Sequence, residues 1–355
     1  MKEIKNYKYH STQQFRNVVS HMKNYANFNQ EPVPKLKYIG TTKLHGTNAS
    51  IIIHSEDIIT FHSKSQTLAA LVEGRFELKS DNAGFAQEMN SRLEGVHHLV
   101  KQAQQLCYEN YGQVLYPIKI SGEWCGQGIQ KSVGVSYLPH KSFFVFGMKV
   151  KSAEEGKHLG WRPVKETLGL QHNPSHIYSI MQFPAKEIEI DFSKPEYIQN
   201  ILVSCTEEVE NKCPVAFQLS CKNSEGDLVT LGEGLVWQPL EFNWCRDSGT
   251  WFKTKGQKHS VSKTKSVVPI STEKLTSIES FVEYAVTVNR LQQGVDEIGL
   301  EQKLVGKFIG WISRDISKEE TDTLLDNNLT MKDVGKHIAS KSKEYYLNSY
   351  KETEQ

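Results

Sequence analysis

The 355-residue sequence lacks a net charge of either sign: 42 Lys+Arg stand against 41 Asp+Glu, a formal +1. Contact with nucleic acid would therefore need a local basic surface, since the protein as a whole is not basic. No apolar run approaches the roughly 18 residues that span a bilayer, and the opening Met1 to Phe15 stretch has no apolar signal core. The expectation is a soluble, cytoplasmic protein with no membrane partner. Six cysteines (Cys107, Cys125, Cys205, Cys213, Cys221, Cys245) include no CxxC pair, which fits reduced thiols. The even spacing of Cys205, Cys213 and Cys221 lacks the usual zinc-ligand intervals. The thirteen histidines form no HExxH or HxH and the serines no GxSxG, so a zinc protease or a serine hydrolase gains no support. Repeats and low-complexity segments are absent too. At roughly 150 residues per domain the length suggests two domains with a real core, and disorder is a poor description.

What is present reads as mixed strands and helices, then helices. A helix over the stretch to about Gln30 (Phe15, Val18, Val19, Met22) ends at Glu31-Pro-Val-Pro-Lys35. β-branched and aromatic runs at Tyr38-Ile-Gly, Ala49 to His54 and Ile58 to His62, with Ser55-Glu-Asp57 as a turn, predict a hairpin fed by a glycine-containing segment. Residues 82–110 carry apolar positions at helical spacing, and strands resume at Tyr116 to Glu123 and Ser142 to Val150. The segment 151–230 is the least informative and is assigned to the same domain. Ile278 to Leu291 and Leu304 to Ile316 predict two amphipathic helices of a small helical domain.

The most specific string is Lys43-Leu-His-Gly-Thr-Asn48, a lysine at a strand end, then a glycine turn and a small polar pair before an apolar strand. A lone KxxG is usually a surface lysine beside a turn; the full string is much rarer by chance. A lysine can form a covalent intermediate only as the free amine, which nearby cations or a metal favour. Cations occur in Trp251-Phe-Lys253-Thr-Lys255, where strand periodicity puts both lysines on one face. With Lys258, Lys263 and Lys265, and no acidic residue between Asp247 and Glu273, this run predicts a phosphate-binding strip. A solvated basic loop is the plainer alternative. Glu123 and Glu233 each stand beside glycine at a strand end, and carboxylates suit Mg²⁺ and ribose hydroxyls. Phe144 and Phe146 alternate on one strand, where core packing competes with stacking on a purine.

In order and content these elements resemble the ATP-dependent polynucleotide ligases of the covalent nucleotidyltransferase superfamily. The nearest likeness is the RNA ligase 2 type of T4-like bacteriophages and trypanosome RNA-editing ligases. Lys43 to Asn48 is similar to their nucleophile motif, followed by Gly122-Glu123, Phe144-Val-Phe146, Glu233-Gly-Leu-Val236 and Lys253-Thr-Lys255. Tyr284 to Leu291 looks similar to the helical domain of the phage enzymes. The resemblance implies an α+β fold: a nucleotidyltransferase domain of antiparallel sheets flanked by helices over 1–268, and a small all-α C-terminal domain over 269–355. It implies that Lys43 attacks the α-phosphorus of ATP to give lysyl-AMP, with Mg²⁺ (or Mn²⁺) as cofactor and Lys253 and Lys255 as catalytic partners on the α-phosphate. Phe146, or else Phe144, would stack on adenine while the backbone at Thr42 reads the base edge. Glu123 would face the ribose and Glu233 the metal, with Glu123 a second metal candidate. His45 and Asn48 would lie beside the phosphates. The partner would be RNA with 5′-phosphate and 3′-hydroxyl ends, at nicks in duplex RNA or RNA hybrids, and the enzyme a monomer, with a phage-encoded origin in the infected cell in view.

Two departures stand out. Where the family commonly has an arginine after the hairpin, the sequence has Ser63-Lys64-Ser65, and Lys64 supplies charge without the bidentate fork. Gly147 replaces the carboxylate that often follows the phenylalanine motif. The rival readings are a DNA ligase or GTP-using capping enzyme, which usually append an OB-fold, and a nucleic-acid-binding protein with an inactive transferase fold.

Overall fold

The computed structural model describes residues 11–151, 159–256, 278–326 and 329–353. Contacts divide the chain into two units, Met1–Thr254 and Lys255–Gln355. In chain order the first unit begins with β1 (Gln13–Gln14), α1 (Phe15–Asn29), β2 (Lys35–Lys43), β3 (Thr47–Ile53), β4 (Ile58–Ser63), β5 (Thr67–Val72) and β6 (Arg75–Leu78). It continues with α2 (Phe85–Ser91), α3 (Leu93–Tyr111), β7 (Ile118–Cys125), β8 (Ser142–Lys151), β9 (Leu159–Trp161), β10 (Ile177–Ser179) and β11 (Lys186–Asp191). Then come α4 (Gln199–Asn211), α5 (Pro214–Gln218), β12 (Gly234–Pro239), α6 (Phe242–Cys245) and β13 (Phe252–Lys255).

Two sheets result, one ordered β1-β13-β12-β2-β11, the other β10-β8-β7-β3-β4-β5-β6 with β9 also on β8. Their main pairings are antiparallel, while β1 on β13 and β10 on β8 are parallel. Period-2 alternation explains the layers. Along β2, Leu36 and Tyr38 pack with Val18 and Met22 of α1 and Leu202 of α4, while Ile39 faces the other way. Along β3, Ala49, Ile51 and Ile53 join Phe85, Val96 and Leu99 of α2 and α3. Between the sheets a third cluster holds Ile39, Leu44, Phe144, Cys125 and Cys213. The order is therefore helices, sheet, inner cluster, sheet, helices, an α+β fold with antiparallel sheets flanked by helices.

The hairpin forms as expected, with Ile53 opposite Ile59. The strand read from Tyr116 begins at Ile118 and runs to Cys125. Sequence reading had no element for residues 64–81, which form β5 and β6 on the edge of the second sheet. In 151–230, Ile188 and Ile190 of β11 turn inward while Glu187 and Glu189 stay toward solvent; β11 pairs β2 and completes the first sheet. The apolar run Val215 to Leu219 is the short helix α5 and its cap.

The second unit, by itself, is helical: α7 (Ile278–Ala285), α8 (Val288–Ile298), α9 (Val305–Glu319), α10 (Thr321–Asp326) and α11 (Met331–Thr353). The single helix expected over Ile278 to Leu291 is broken at Val286-Thr287, because Thr287 caps α8 by accepting from the Arg290 N–H at 3.2 Å. Phe281, Leu291, Phe308, Ile312, Val334, Ile338 and Tyr346 form its core. Within that core Arg290 is fully buried, pairing Asp315 at 2.9 Å and Glu320 at 3.2 Å. Among the described residues no helix is long and apolar enough to cross a membrane.

Candidate functional site

Lys43 is the last residue of β2, and the chain leaves the first sheet there to enter the second at Thr47. Its antiparallel partner is Gly234, which follows Glu233 at the start of β12. Register alone thus brings lysine and carboxylate together: Lys43 Nζ donates to Glu233 Oε2 at 2.6 Å, and His45 Nδ1 lies 3.5 Å from the same oxygen. Glu233 is only 3% exposed, so its charge is held by these neighbours, not by water. Gly234 has φ 147°, a conformation that favours glycine. A side chain at Gly46 would press on the Trp124 carbonyl and the Cys125 sulfur, so glycine lets the segment after Lys43 lie on β7.

The second sheet brings its own residues to the same end. Asn48 pairs Glu123 across β3 and β7, and Glu123 pairs Phe144 across β7 and β8. Glu123 Oε1 accepts from the Gly46 N–H at 3.1 Å. Burial pushes the Glu123 carboxyl up to about 7, with Glu233 adding to the rise and Lys43, the Gly46 N–H and His45 opposing it. Among the described residues Asn48 Oδ1 is buried without a hydrogen-bond partner. Thr42 sits one residue before Lys43, its hydroxyl oxygen likewise buried and unpartnered.

The two phenylalanines part company. Phe144 is fully buried, stacked at 5.4 Å on Tyr178, whereas Phe146 is half-buried against the inner cluster. Opposite Ser121 and Gly122, β8 carries one extra residue: Gly147 pairs Ser121, Val145 pairs Gly122, and Phe146 is the bulge between them. The bulge flips the faces beyond it, so Phe143, Val145, Met148 and Val150 all serve the same core. Plain alternation could not have shown that Phe146 is singled out this way.

On β13, Phe252 packs with Tyr38 and Trp237, and Thr254 accepts from Trp237 Nε1 at 3.1 Å. Lys253 and Lys255 therefore share the opposite face of the strand. Lys64 is exposed in the turn after β4, whose last residue Ser63 pairs Ala49 beside Asn48. Lys258, Lys263 and Lys265 of the basic strip lie outside the described residues.

Sequence reading missed the polar inner face of the second sheet. Ser50 lies between His62 and Ser121, and Lys119 lies directly opposite Lys149. Burial, with the Lys119 charge next in size, lowers His62 to about 3, and burial lowers Lys119 and Lys149 to about 8. His62 is held by Thr60 Oγ1 at 2.7 Å and Thr67 Oγ1 at 3.3 Å. The signal was present as polar residues at alternate positions of apolar strands, which reads as a solvent face until a second sheet is known to cover it. Chemically, the site offers one amine at a strand end, two carboxylates suited to a hard cation, and a bulged aromatic ring. Among the described residues no group of three or more His, Cys, Asp or Glu could hold a metal ion alone.

Solved structures similar to this chain include a mutant Naegleria gruberi RNA ligase with ATP and Mn, at 12% identity over 70% of this chain and 55% of that one, TM-score 0.42. A second mutant with AMP and Mn gives 12% identity, the same coverages and a TM-score of 0.40. The Naegleria gruberi RNA ligase with PPi gives 12% identity over 69% and 55%, TM-score 0.37. The chain thus spans 55% of the length of these proteins. No curated protein matches it. The family model described as RNA ligase matches residues 36–255, which hold every site residue described above and more than half of the chain. On that match, the chain belongs to the RNA ligase family.

Proposed function

We propose that this protein is an ATP-dependent RNA ligase of the RNA ligase 2 type that works through a Lys43-AMP intermediate. The observation that carries the reading is the 2.6 Å contact between Lys43 and the buried Glu233, at the strand ends where Glu123 and Asn48 converge. The Lys43 amine, once deprotonated, attacks the α-phosphorus of ATP; the N–P bond forms as the bond to the β-phosphate oxygen breaks and pyrophosphate leaves. The AMP then passes to an RNA 5′-phosphate, breaking the N–P bond, and a 3′-hydroxyl displaces it to close the phosphodiester.

Each residue has a part in this. Lys253 and Lys255, on one face of β13, hold the α-phosphate as charge develops on it. Phe146 stacks on the adenine, a role the burial of Phe144 leaves to it, and the Thr42 backbone reads the base edge. Glu123 takes the ribose, while His45, Asn48 and Lys64 line the phosphates. Glu233 and Glu123 would hold a divalent cation, Mg²⁺ or Mn²⁺, through their carboxylate oxygens. When bound, such a cation neutralises charge on the triphosphate and the leaving pyrophosphate. Residues 1–268 would carry adenylyl transfer and 269–355 would contact the polynucleotide, a nicked RNA duplex or hybrid, with the enzyme a monomer.

The test is incubation with α-labelled ATP, and separately α-labelled GTP, in Mg²⁺, followed by denaturing electrophoresis of wild type and Lys43→Ala. ATP should label the wild type only. Labelling by GTP would point to a capping enzyme, and no label from either nucleotide to a binding protein with an inactive transferase fold.

A further inference from the structure

We infer that Trp161 and Trp251 are positioning residues whose ring contact across the gap between the sheets sets how far Phe146 stands from Lys253. The inference rests on the ligase reading above, in which those two residues hold the base and the α-phosphate. Neither indole is part of that chemistry, yet both are buried, 2% and 0% exposed, with centroids 4.8 Å apart at 48°.

Each ring is fixed to its own sheet next to one of the two working residues. Trp161 ends β9 opposite Lys149 of β8. Its indole lies where a Cβ on Gly147, the residue after the Phe146 bulge, would come within 2.7 Å, and Lys149 Nζ sits 4.4 Å over the ring. Any side chain at Gly147 would push the indole off the strand, which gives a packing reason for glycine there. Trp251 lies two residues before Lys253 and so on the same face of the chain. Its indole N–H donates to the Cys245 carbonyl at 3.0 Å, and its own carbonyl accepts from the Gln13 N–H at 3.1 Å.

The chain of contact therefore runs Phe146, Gly147, Trp161, Trp251, Lys253, and it is made of rings and backbone with few soft rotamers. Close-packed interiors resist compression and transmit displacement, so a smaller group at either indole lets the sheets settle at another spacing. A misplacement of about 1 Å at a reacting centre can cost on the order of 100-fold in rate.

The experiment measures single-turnover self-labelling by α-labelled ATP across a concentration series, with ATP binding by calorimetry, for wild type, Trp161→Leu, Trp251→Leu, the double variant and Trp161→Phe. The leucine variants should raise the half-saturating ATP concentration by about tenfold, the scale of one aromatic pair, with the labelled fraction unchanged. Trp161→Phe should stay within about threefold of wild type, and the double variant should resemble either single one, because the two rings act as a unit. If the leucine variants instead lower only the labelled fraction, at unchanged half-saturation and rate constant, the rings serve folding alone and the inference is overturned. Additive losses in the double variant would overturn it as well. If wild type binds ATP without becoming labelled, the ligase reading fails, and the binding constants of the same variants decide the inference separately. If ATP does not bind at all, both fall.

Discussion

Lys43 Nζ and Glu233 Oε2 are 2.6 Å apart although 190 residues separate them in the chain. The contact follows from the antiparallel register of β2 and β12, which sets Gly234 against Lys43. It joins the proposed nucleophile to a carboxylate with almost no access to water, and it ties the two residues together in stability.

Lys43→Ala should abolish labelling and also destabilise the protein by about 1–3 kcal/mol, because Glu233 is left buried with its main partner gone. Lys43→Ala combined with Glu233→Gln should recover most of that loss while remaining inactive. Urea denaturation of wild type, Lys43→Ala and the double variant at pH 7.5 checks this; a double variant no more stable than Lys43→Ala would show that the stranded Glu233 charge is not what costs stability.

Glu123 gives a pH-dependent signature. Its folded value of about 7 exceeds the ordinary 4.5. Between those values the folded state binds more protons than the unfolded, so this group's contribution to stability falls as pH rises from about 4.5 to about 7. Glu123→Gln keeps a carbonyl to accept from the Gly46 N–H and removes the slope. It should be about 1–3 kcal/mol more stable than wild type at pH 8, with the difference vanishing near pH 4. Denaturation series at the two pH values read it directly.

His62 works in the opposite sense. Burial holds it neutral down to about pH 3, against an ordinary 6.5. Below 6.5 the unfolded chain gains a proton that the folded one refuses, so stability present above pH 6.5 is lost as pH falls toward 3. The loss reaches at most about 4–5 kcal/mol for this residue. His62→Asn should give a flatter acid limb in Tm against pH, and an unchanged limb would assign acid sensitivity to other groups.

In the helical unit, Arg290 answers two carboxylates, and one of them, Glu320, also accepts from the Thr323 hydroxyl at 3.0 Å. Arg290→Ala should cost about 3–5 kcal/mol by stranding the buried Glu320. Circular dichroism of the full chain during thermal unfolding should show a helical transition moved to lower temperature, whereas Asp315→Asn, at a partly exposed position, should move it much less.

Much of the first unit was legible in the sequence. The hairpin of β3 and β4, the helices of 82–110 and the strand carrying Phe144 announce themselves by period, since side chains on a half-buried strand or helix must alternate between core and solvent. The string Lys43 to Asn48, with Glu123 and Glu233 beside glycines, could be singled out because those residue types are poor choices for a plain strand end. The β5–β6 hairpin and β11 could not: short edge strands carry few apolar residues and sit among loop-like neighbours, so their period never accumulates.

Sequence alone singled out the residues proposed for the site, because lysine, carboxylates and aromatics stand out locally at the strand ends that present them. Tertiary structure decided where they are placed. It placed Glu233 on Lys43 through strand register, made Phe146 the bulged ring and sent Phe144 into the core. It left Ser50, Lys119 and Ser121 buried, so that an apparently solvated stripe became a buried polar face. The physical reason is that pairing register, bulges and sheet-on-sheet burial depend on contacts between segments far apart in the chain, which no local pattern encodes.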